Sequence, residues 1–176
     1  MGCGAEASRE SRRIVELLET LLETGFAPRS AFKLVNTVLL LTGGEQHPAA
    51  LDAGCIDLYT GALEIFKLGA PGAFVMGQEG IQVLEGRQVP AGALEQAEPV
   101  LLSRKLWDGD RLIMVTDGVL DALPGDDKEQ VMGQFLDSLG EMPPQDMAEH
   151  VLDFALSFVP GARDDMTVLA VQVWKK

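Results

Sequence analysis

Two acidic clusters carry the chemistry open to this chain. Asp117 follows an apolar run, Leu112 to Val115, within the stretch LIMVTDGVLDA; Asp164-Asp165 directly precedes a second apolar run, Met166 to Val173. Four consecutive apolar residues with a β-branched member predict a strand covered on both faces. Gly118 lets the chain turn sharply as it leaves the sheet. A carboxylate at such a strand end can reach a hard cation or a phosphate-bearing substrate. The spacing predicts a chain that brings these two strand ends together. Asp-Gly is also a common turn former, and Asp117 taken alone reads as a turn. A hydrophobic strand ending in Asp occurs in P-loop ATPases as well, but no G-x-x-x-x-G-K-[ST] is present to support that reading.

The remaining reactive residue types offer less. Met1–Ala7 matches G-x-G-x-x-A but has no strand before it to aim the glycines at a pyrophosphate. His47 and His150 are too few for a histidine-rich metal site and read as surface or loop residues. Cys3 and Cys55 form no C-x-x-C and read as free thiols in a reducing cytoplasm. Arg163 neighbours Asp164 and is in reach of a phosphate there, although a surface arginine is the simpler reading.

The elements that must position the acidic ends follow from periodicity. Ile14, Leu17, Leu18, Leu21 and Leu22 recur at helical spacing and predict an amphipathic helix over 5–22, ended by Gly25. Pro28 starts a second helix, 28–41, with Leu34, Val35, Val38 and Leu39 on one face. The pair is a helical hairpin whose plain role is to cover a sheet. Short strands are expected at 51–59, 62–68, 73–76 and 81–84, joined by turn chemistry as an antiparallel meander, then at 100–106. Asp110 reads as a turn residue. Beyond Gly118 come a short helical piece, 119–123, and a helix at 128–139 with Val131, Met132, Phe135 and Leu136 inward. A helix begun by Pro143-Pro144 follows, with Met147, Val151, Phe154, Ala155 and Phe158 on its buried stripe, and a final strand covers 166–174. Strands in the middle with helices grouped at both ends predict an α+β domain, helices packed over antiparallel sheet.

With 176 residues and 47% apolar composition, one domain with a substantial core is expected. No apolar run is long enough to cross a membrane, and no secretory signal is visible. A net charge of −13 disfavours nucleic acid and anionic lipid as partners.

Taken together, the acidic motifs resemble the type 2C, metal-dependent serine/threonine protein phosphatases. More narrowly, the chain is similar to the C-terminal phosphatase domain of the stage II sporulation protein E family. Thr116-Asp117-Gly118 looks like that family's T-D-G, and Asp164-Asp165-Met166-Thr167 looks like its D-[DN]-x-T. Ile56–Gly61 with Lys67-Leu68-Gly69 resembles its meander; Met1–Gly4 with Ala5–Ala7 and Glu10-Ser11 resembles the segment after an earlier metal aspartate. The resemblance implies an antiparallel β-sandwich flanked by helices in α-β-β-α layers, here one partial domain over 1–176 that lacks the N-terminal strands. It implies Asp117 and Asp164 as metal ligands, with Gly118 and Asp165 in support, because the family pattern places the ligand at the first residue of the acidic pair.

The cofactor implied is Mn²⁺ or Mg²⁺, two ions in the complete domain. Oxygen ligands suit these ions, and a pair about 3.5–4 Å apart activates water and neutralises phosphoryl charge. The family's D-G-M-G stands where this chain begins Met1-Gly2, so two N-terminal aspartates are expected to be missing. One weakly held ion or none, and little or no activity, are then expected of this chain. The partner implied is a phosphorylated anti-sigma-factor antagonist in sporulation control. Membrane attachment is expected only through upstream regions. Missing strands leave an open sheet edge, so dimerisation is expected. A non-catalytic interaction module with the same fold is the competing reading.

Overall fold

A computed structural model describes residues 5–43, 48–159 and 165–174. In chain order the elements are α1 (Ala5–Glu23), α2 (Pro28–Gly43), β1 (Leu51–Ile56), β2 (Ala62–Leu68), β3 (Ala73–Gly77), β4 (Gly80–Leu84), β5 (Val100–Lys105), β6 (Arg111–Val115), α3 (Asp117–Asp121), α4 (Lys128–Ser138), α5 (Pro144–Leu156) and β7 (Val168–Gln172). They form two antiparallel sheets with helices against them, the α+β class expected. The chain divides into two compact units.

The first unit comprises Met1–Cys55, Glu64–Ala70 and Gly86–Ser103. It holds the helical hairpin and most of a three-stranded sheet ordered β1-β2-β5. Leu21 and Leu22 accept from the N–H groups of Phe26 and Gly25, both at 3.0 Å, and Gly25 takes φ +91°, so a left-handed residue closes α1. Ile14 and Leu18 of α1 pack with Ala31, Phe32, Val35 and Leu39 of α2 and with Phe66 and Leu68 of β2. The inward face of α2 differs from the one expected: Leu34 and Val38 are about two-fifths exposed, and Ala31 and Phe32 take their place. The helix is apolar on two stripes, and the buried one carries the aromatic ring that meets Phe66, centroids 5.6 Å apart. Asn36 is buried on the same helix and holds the 92–95 loop. Its Nδ2 donates to Leu94 O at 3.0 Å, and its Oδ1 accepts from Gly92 N at 2.7 Å.

The second unit comprises Ile56–Leu63, Pro71–Glu85 and Arg104–Lys176. Its sheet runs β4-β3-β6-β7, with Met76 opposite Arg111 and Val115 opposite Val168. Phe74, Met76, Ile113 and Val115 on one face meet Val119, Leu120, Met132, Leu136, Met147, Val151 and Ala155 from the helices. Each of these side chains other than Ala155 contributes roughly 1.5–3 kcal/mol when withdrawn from water. Phe135 and Phe154 stack with centroids 3.9 Å apart and tie α4 to α5. Phe158 lies beyond the end of α5, meets Phe154 edge-on and stays 43% exposed, so it is not part of the buried stripe.

Three further sequence expectations are corrected. The first strand stops at Ile56, because the Asp57 carboxylate accepts from Tyr59 N and Thr60 N and folds 57–60 into a turn. The meander is not continuous: β2 and β3 lie in different sheets, and β5 returns to pair beside β2. Gly69-Ala70-Pro71-Gly72 therefore redirects the chain between sheets instead of closing a hairpin. The last strand runs only Val168–Gln172, so Asp165, Met166 and Thr167 precede it as extended chain.

The turn reading of Asp110 holds, and the residue is buried. It accepts from Trp107 N through Oδ2 at 2.8 Å, while its own N–H donates to Trp107 O. The single tyrosine, Tyr59, and both tryptophans, Trp107 and Trp174, stand largely in solvent. No described helix is long and apolar enough to cross a membrane.

Candidate functional site

The end of β6 and the start of β7 are brought side by side, both within the second unit. Regular pairing ends at Val115–Val168. Thr116 N then donates to Thr167 O at 3.1 Å, Thr167 N donates to the Thr116 hydroxyl at 2.9 Å, and that hydroxyl reaches Asp165 O at 3.4 Å. Thr116, with φ −81° and ψ 162°, is the residue from which α3 starts. Asp117 is thus the first residue of a short helix two positions past the strand, not the strand's own last residue.

The Asp117 side chain is half-buried, and its Oδ1 accepts from Gly118 N at 3.1 Å. Among the described residues it forms no ion pair. Gly118 is buried, and Asp165 is exposed. Asp164 and Arg163 lie outside the described residues. The structure therefore places Asp117, Gly118 and Asp165 at one end of the β6–β7 pair. Among the described residues no group of three or more His, Cys, Asp or Glu side chains is arranged to hold a metal. The donors present are oxygens, the type that a hard divalent ion prefers.

Other reactive groups lie elsewhere. Cys55 is a free thiol whose pKa is pushed up by burial and by the Glu64 carboxylate, which makes it a poor nucleophile. His150 is exposed on α5 and its Nδ1 meets Asp146 O at 2.7 Å; His47 and Cys3 lie outside the described residues. A cavity of about 690 Å³, lined by Gly77, Gln82, Lys105 and Trp107 among others, sits at the opposite end of β6 from Asp117. It does not include the acidic residues at 117 and 165.

Two features were missed in sequence. The Thr116 hydroxyl contact depends on the register of residues far apart in the chain. In the first unit, Lys67 is wholly buried and forms an ion pair with Asp52. Burial pushes the Asp52 carboxyl up, against the opposing pull of the Lys67 ammonium and its hydrogen bonds. A lysine inside the run Ala62–Leu68, with an acid opposite it once β1 and β2 are registered as a hairpin, was the available signal.

Two antiparallel sheets with flanking helices match the fold of the solved PP2C-type phosphatase domains. The sequence matches the family described as "Stage II sporulation protein E (SpoIIE)" over residues 1–174, and the chain belongs to that family. It is 28% identical over 175 residues to the stage II sporulation protein E of Bacillus subtilis (strain 168), covering 98% of this chain and 21% of the relative. The chain thus spans about a fifth of that relative's length. The solved PP2C phosphatase domain of SpoIIE from Bacillus subtilis, with a fragment of its regulatory domain, superposes with TM-score 0.90 at 28% identity, over 98% of this chain and 52% of that one. A manganese-presoaked crystal of the Bacillus subtilis SpoIIE phosphatase domain matches with TM-score 0.70 at 27% identity, over 92% of this chain and 72% of that one.

Proposed function

We propose that residues 1–176 act as part of one metal-dependent phosphoprotein phosphatase domain, which cleaves the phosphate ester of phosphoserine or phosphothreonine. The observation that carries this reading is the convergence of Asp117 with the segment 165–167 at the end of the β6–β7 pair. Asp117 and Asp164 are the proposed ligands. Gly118 supports by donating its N–H to the Asp117 carboxylate, and Asp165 supports by anchoring the start of β7 through its carbonyl. The manganese-soaked SpoIIE relative favours Mn²⁺, with Mg²⁺ the other candidate.

When bound, two such ions supply an activated water and neutralise the phosphoryl oxygens. The part played by this chain is to hold two carboxylates in a fixed relation at a rigid sheet end. In the hydrolysis, water adds to phosphorus as the bond to the serine or threonine oxygen breaks, and a proton from that water ends on the leaving oxygen, giving the protein hydroxyl and inorganic phosphate. Two carboxylates alone leave most of a six-coordinate sphere to water, so the 176-residue chain by itself binds weakly and turns over slowly. Family membership favours, as substrate, a phosphorylated anti-sigma-factor antagonist in sporulation. The outer edges of β4 and β7 in the four-stranded sheet favour self-association of this chain.

The test is calorimetric Mn²⁺ titration of the chain beside its Asp117→Asn and Asp164→Asn variants, followed by phosphoserine-peptide hydrolysis. Weak saturable binding, lost in both variants, with little turnover, is the expected result. Undiminished binding in Asp117→Asn would overturn the ligand assignment, and brisk hydrolysis by the chain alone would overturn the expectation of slow turnover from two carboxylates.

A further inference from the structure

We propose that the end of the second unit carrying Tyr59 and Trp107 is a two-fold docking surface for a second copy of this chain, with Tyr59 of each copy seated in the other's cavity. Three segments of the second unit are joined there by backbone hydrogen bonds. Leu106 N donates to Gly61 O at 2.8 Å, so the β1–β2 turn lies beside the turn that follows β5. Gly109 N donates to Val173 O at 2.9 Å and Val173 N to Asp110 O at 3.0 Å, which brings in the chain after β7. Tyr59 is fully exposed on the first of these segments, with Leu58 beside it. Trp107 and Trp174, on the other two, are 62% and 66% exposed. These three are all the tyrosine and tryptophan of the chain. Such residues are well buried on average, and where they are exposed together they serve as anchors of protein interfaces.

The surface sets a knob next to a hole. The knob is Tyr59, on a stiff turn: the Asp57 carboxylate accepts from Tyr59 N and Thr60 N, and Gly61 N donates to Asp57 O at 2.8 Å. A side chain displayed on a fixed turn loses little freedom when it is bound. The hole is the cavity of about 690 Å³, lined by Gln78, Glu79, Gln82, Lys105, Trp107 and Asp108 among others. This mixed lining suits a phenol, whose ring can lie against Trp107 and whose hydroxyl needs a polar partner once buried, here Gln78 or Gln82. Tyr59 stands in solvent and does not fill the cavity of its own molecule. A two-fold axis between two copies satisfies a knob that adjoins its own hole, because both pairs form at once and the contact closes. The rim carries both signs, Lys105 with Glu79 and Asp108, so the same axis sets cation against carboxylate within a chain of net charge −13. At these exposures the three rings leave roughly 350–570 Å² uncovered. A standard interface takes about 800 Å² per partner, and Leu58 and the cavity rim supply more. Such pairing gives the self-association inferred above a defined surface, other than the strand edges, and it needs no metal.

The experiment is analytical ultracentrifugation of the 176-residue chain from the low micromolar to the submillimolar range, beside Tyr59→Ser, Trp107→Ser and Leu94→Ser. Circular dichroism checks that each variant is folded, which is expected because all three side chains lie largely in solvent. The parent chain should form a reversible dimer and nothing larger. Tyr59→Ser and Trp107→Ser should each weaken it by roughly 30-fold or more, since each replacement is made twice in a symmetric pair. Leu94→Ser, which removes an exposed leucine of the first unit, should leave the dimer unchanged. A parent chain that stays monomeric overturns this interface and the self-association with it. A dimer unaffected by Tyr59→Ser overturns the interface alone and returns the contact to the strand edges. Equal weakening by Leu94→Ser, or growth of the parent chain into open polymers, overturns the two-fold pairing.

Discussion

Replacing Asp52 with asparagine is expected to be among the more damaging single changes in the first unit. Lys67 is wholly buried, and Asp52, 16% exposed at its side chain, is its ion-pair partner. Removing one member of such a pair strands the other charge away from water, at a cost of about 3–5 kcal/mol. The reverse change, Lys67→Met, is milder. Methionine keeps the apolar stem, and the Asp52 carboxyl left behind is already pushed up by burial and can take a proton. Its cost is about 1–3 kcal/mol. The double variant Asp52→Leu/Lys67→Met, with no buried charge, should equal or exceed the parent chain by roughly 1–4 kcal/mol.

The pH dependence separates these cases further. A carboxyl whose native pKa lies above its ordinary value of 3.8 holds its proton more tightly folded than unfolded. Its contribution to stability is therefore greatest in acid and declines as pH rises from that ordinary value through the native one. Lys67→Met removes the ammonium that opposes the upward push, so the decline extends to higher pH. Urea unfolding followed by far-ultraviolet circular dichroism reads all four proteins. At about 2–4 °C per kcal/mol, Asp52→Asn should also lower the melting temperature by roughly 6–20 °C. An Asp52→Asn protein within about 1 kcal/mol of the parent chain, or a Lys67→Met protein that is the less stable of the two, would refute this reasoning about stranded charge.

Asn36→Ala leaves the Gly92 N–H and the Leu94 carbonyl without their side-chain partner, so about 1–3 kcal/mol should be lost for each group kept from water, with faster amide exchange at Gly92. Gly61→Ala should unfold at clearly lower temperature than Gly80→Ala. Both glycines have positive φ, +73° and +93°, but an added Cβ at Gly61 would sit 2.4 Å from the Leu106 carbonyl oxygen, and at Gly80 it meets open space. The left-handed penalty common to both is about 1–2 kcal/mol; equal melting temperatures would show that the β1–β2 turn yields to the added methyl.

The helices were legible because burial imposes a period on the sequence. Ile14 and Leu18, Met132 and Leu136, and Met147, Val151 and Ala155 repeat at four-residue spacing and are buried as expected. The strands were legible too, but not their partners. Gly69-Ala70-Pro71-Gly72 has the composition of a hairpin turn, and which sheet the next strand joins is decided by long-range packing. The same limit hid the true inner face of α2, where Leu34 and Val38 are as apolar as the Phe32 and Val35 that won the core. At the candidate site, Asp117 stands out by residue type and by the glycine after it. The Thr116 hydroxyl contact does not, because it exists only once Thr167 arrives opposite.

With Tyr59, Trp107 and Trp174 all turned outward, the packed interiors of both units contain no indole or phenol. Emission from the native protein should already resemble that of indoles in water, and denaturation should barely shift its wavelength. Indole light is therefore a poor gauge of whether this chain is folded. It is better suited to signalling contact with another molecule, above all at Trp107, which the Lys105 ammonium overhangs 4.6 Å from the ring centre.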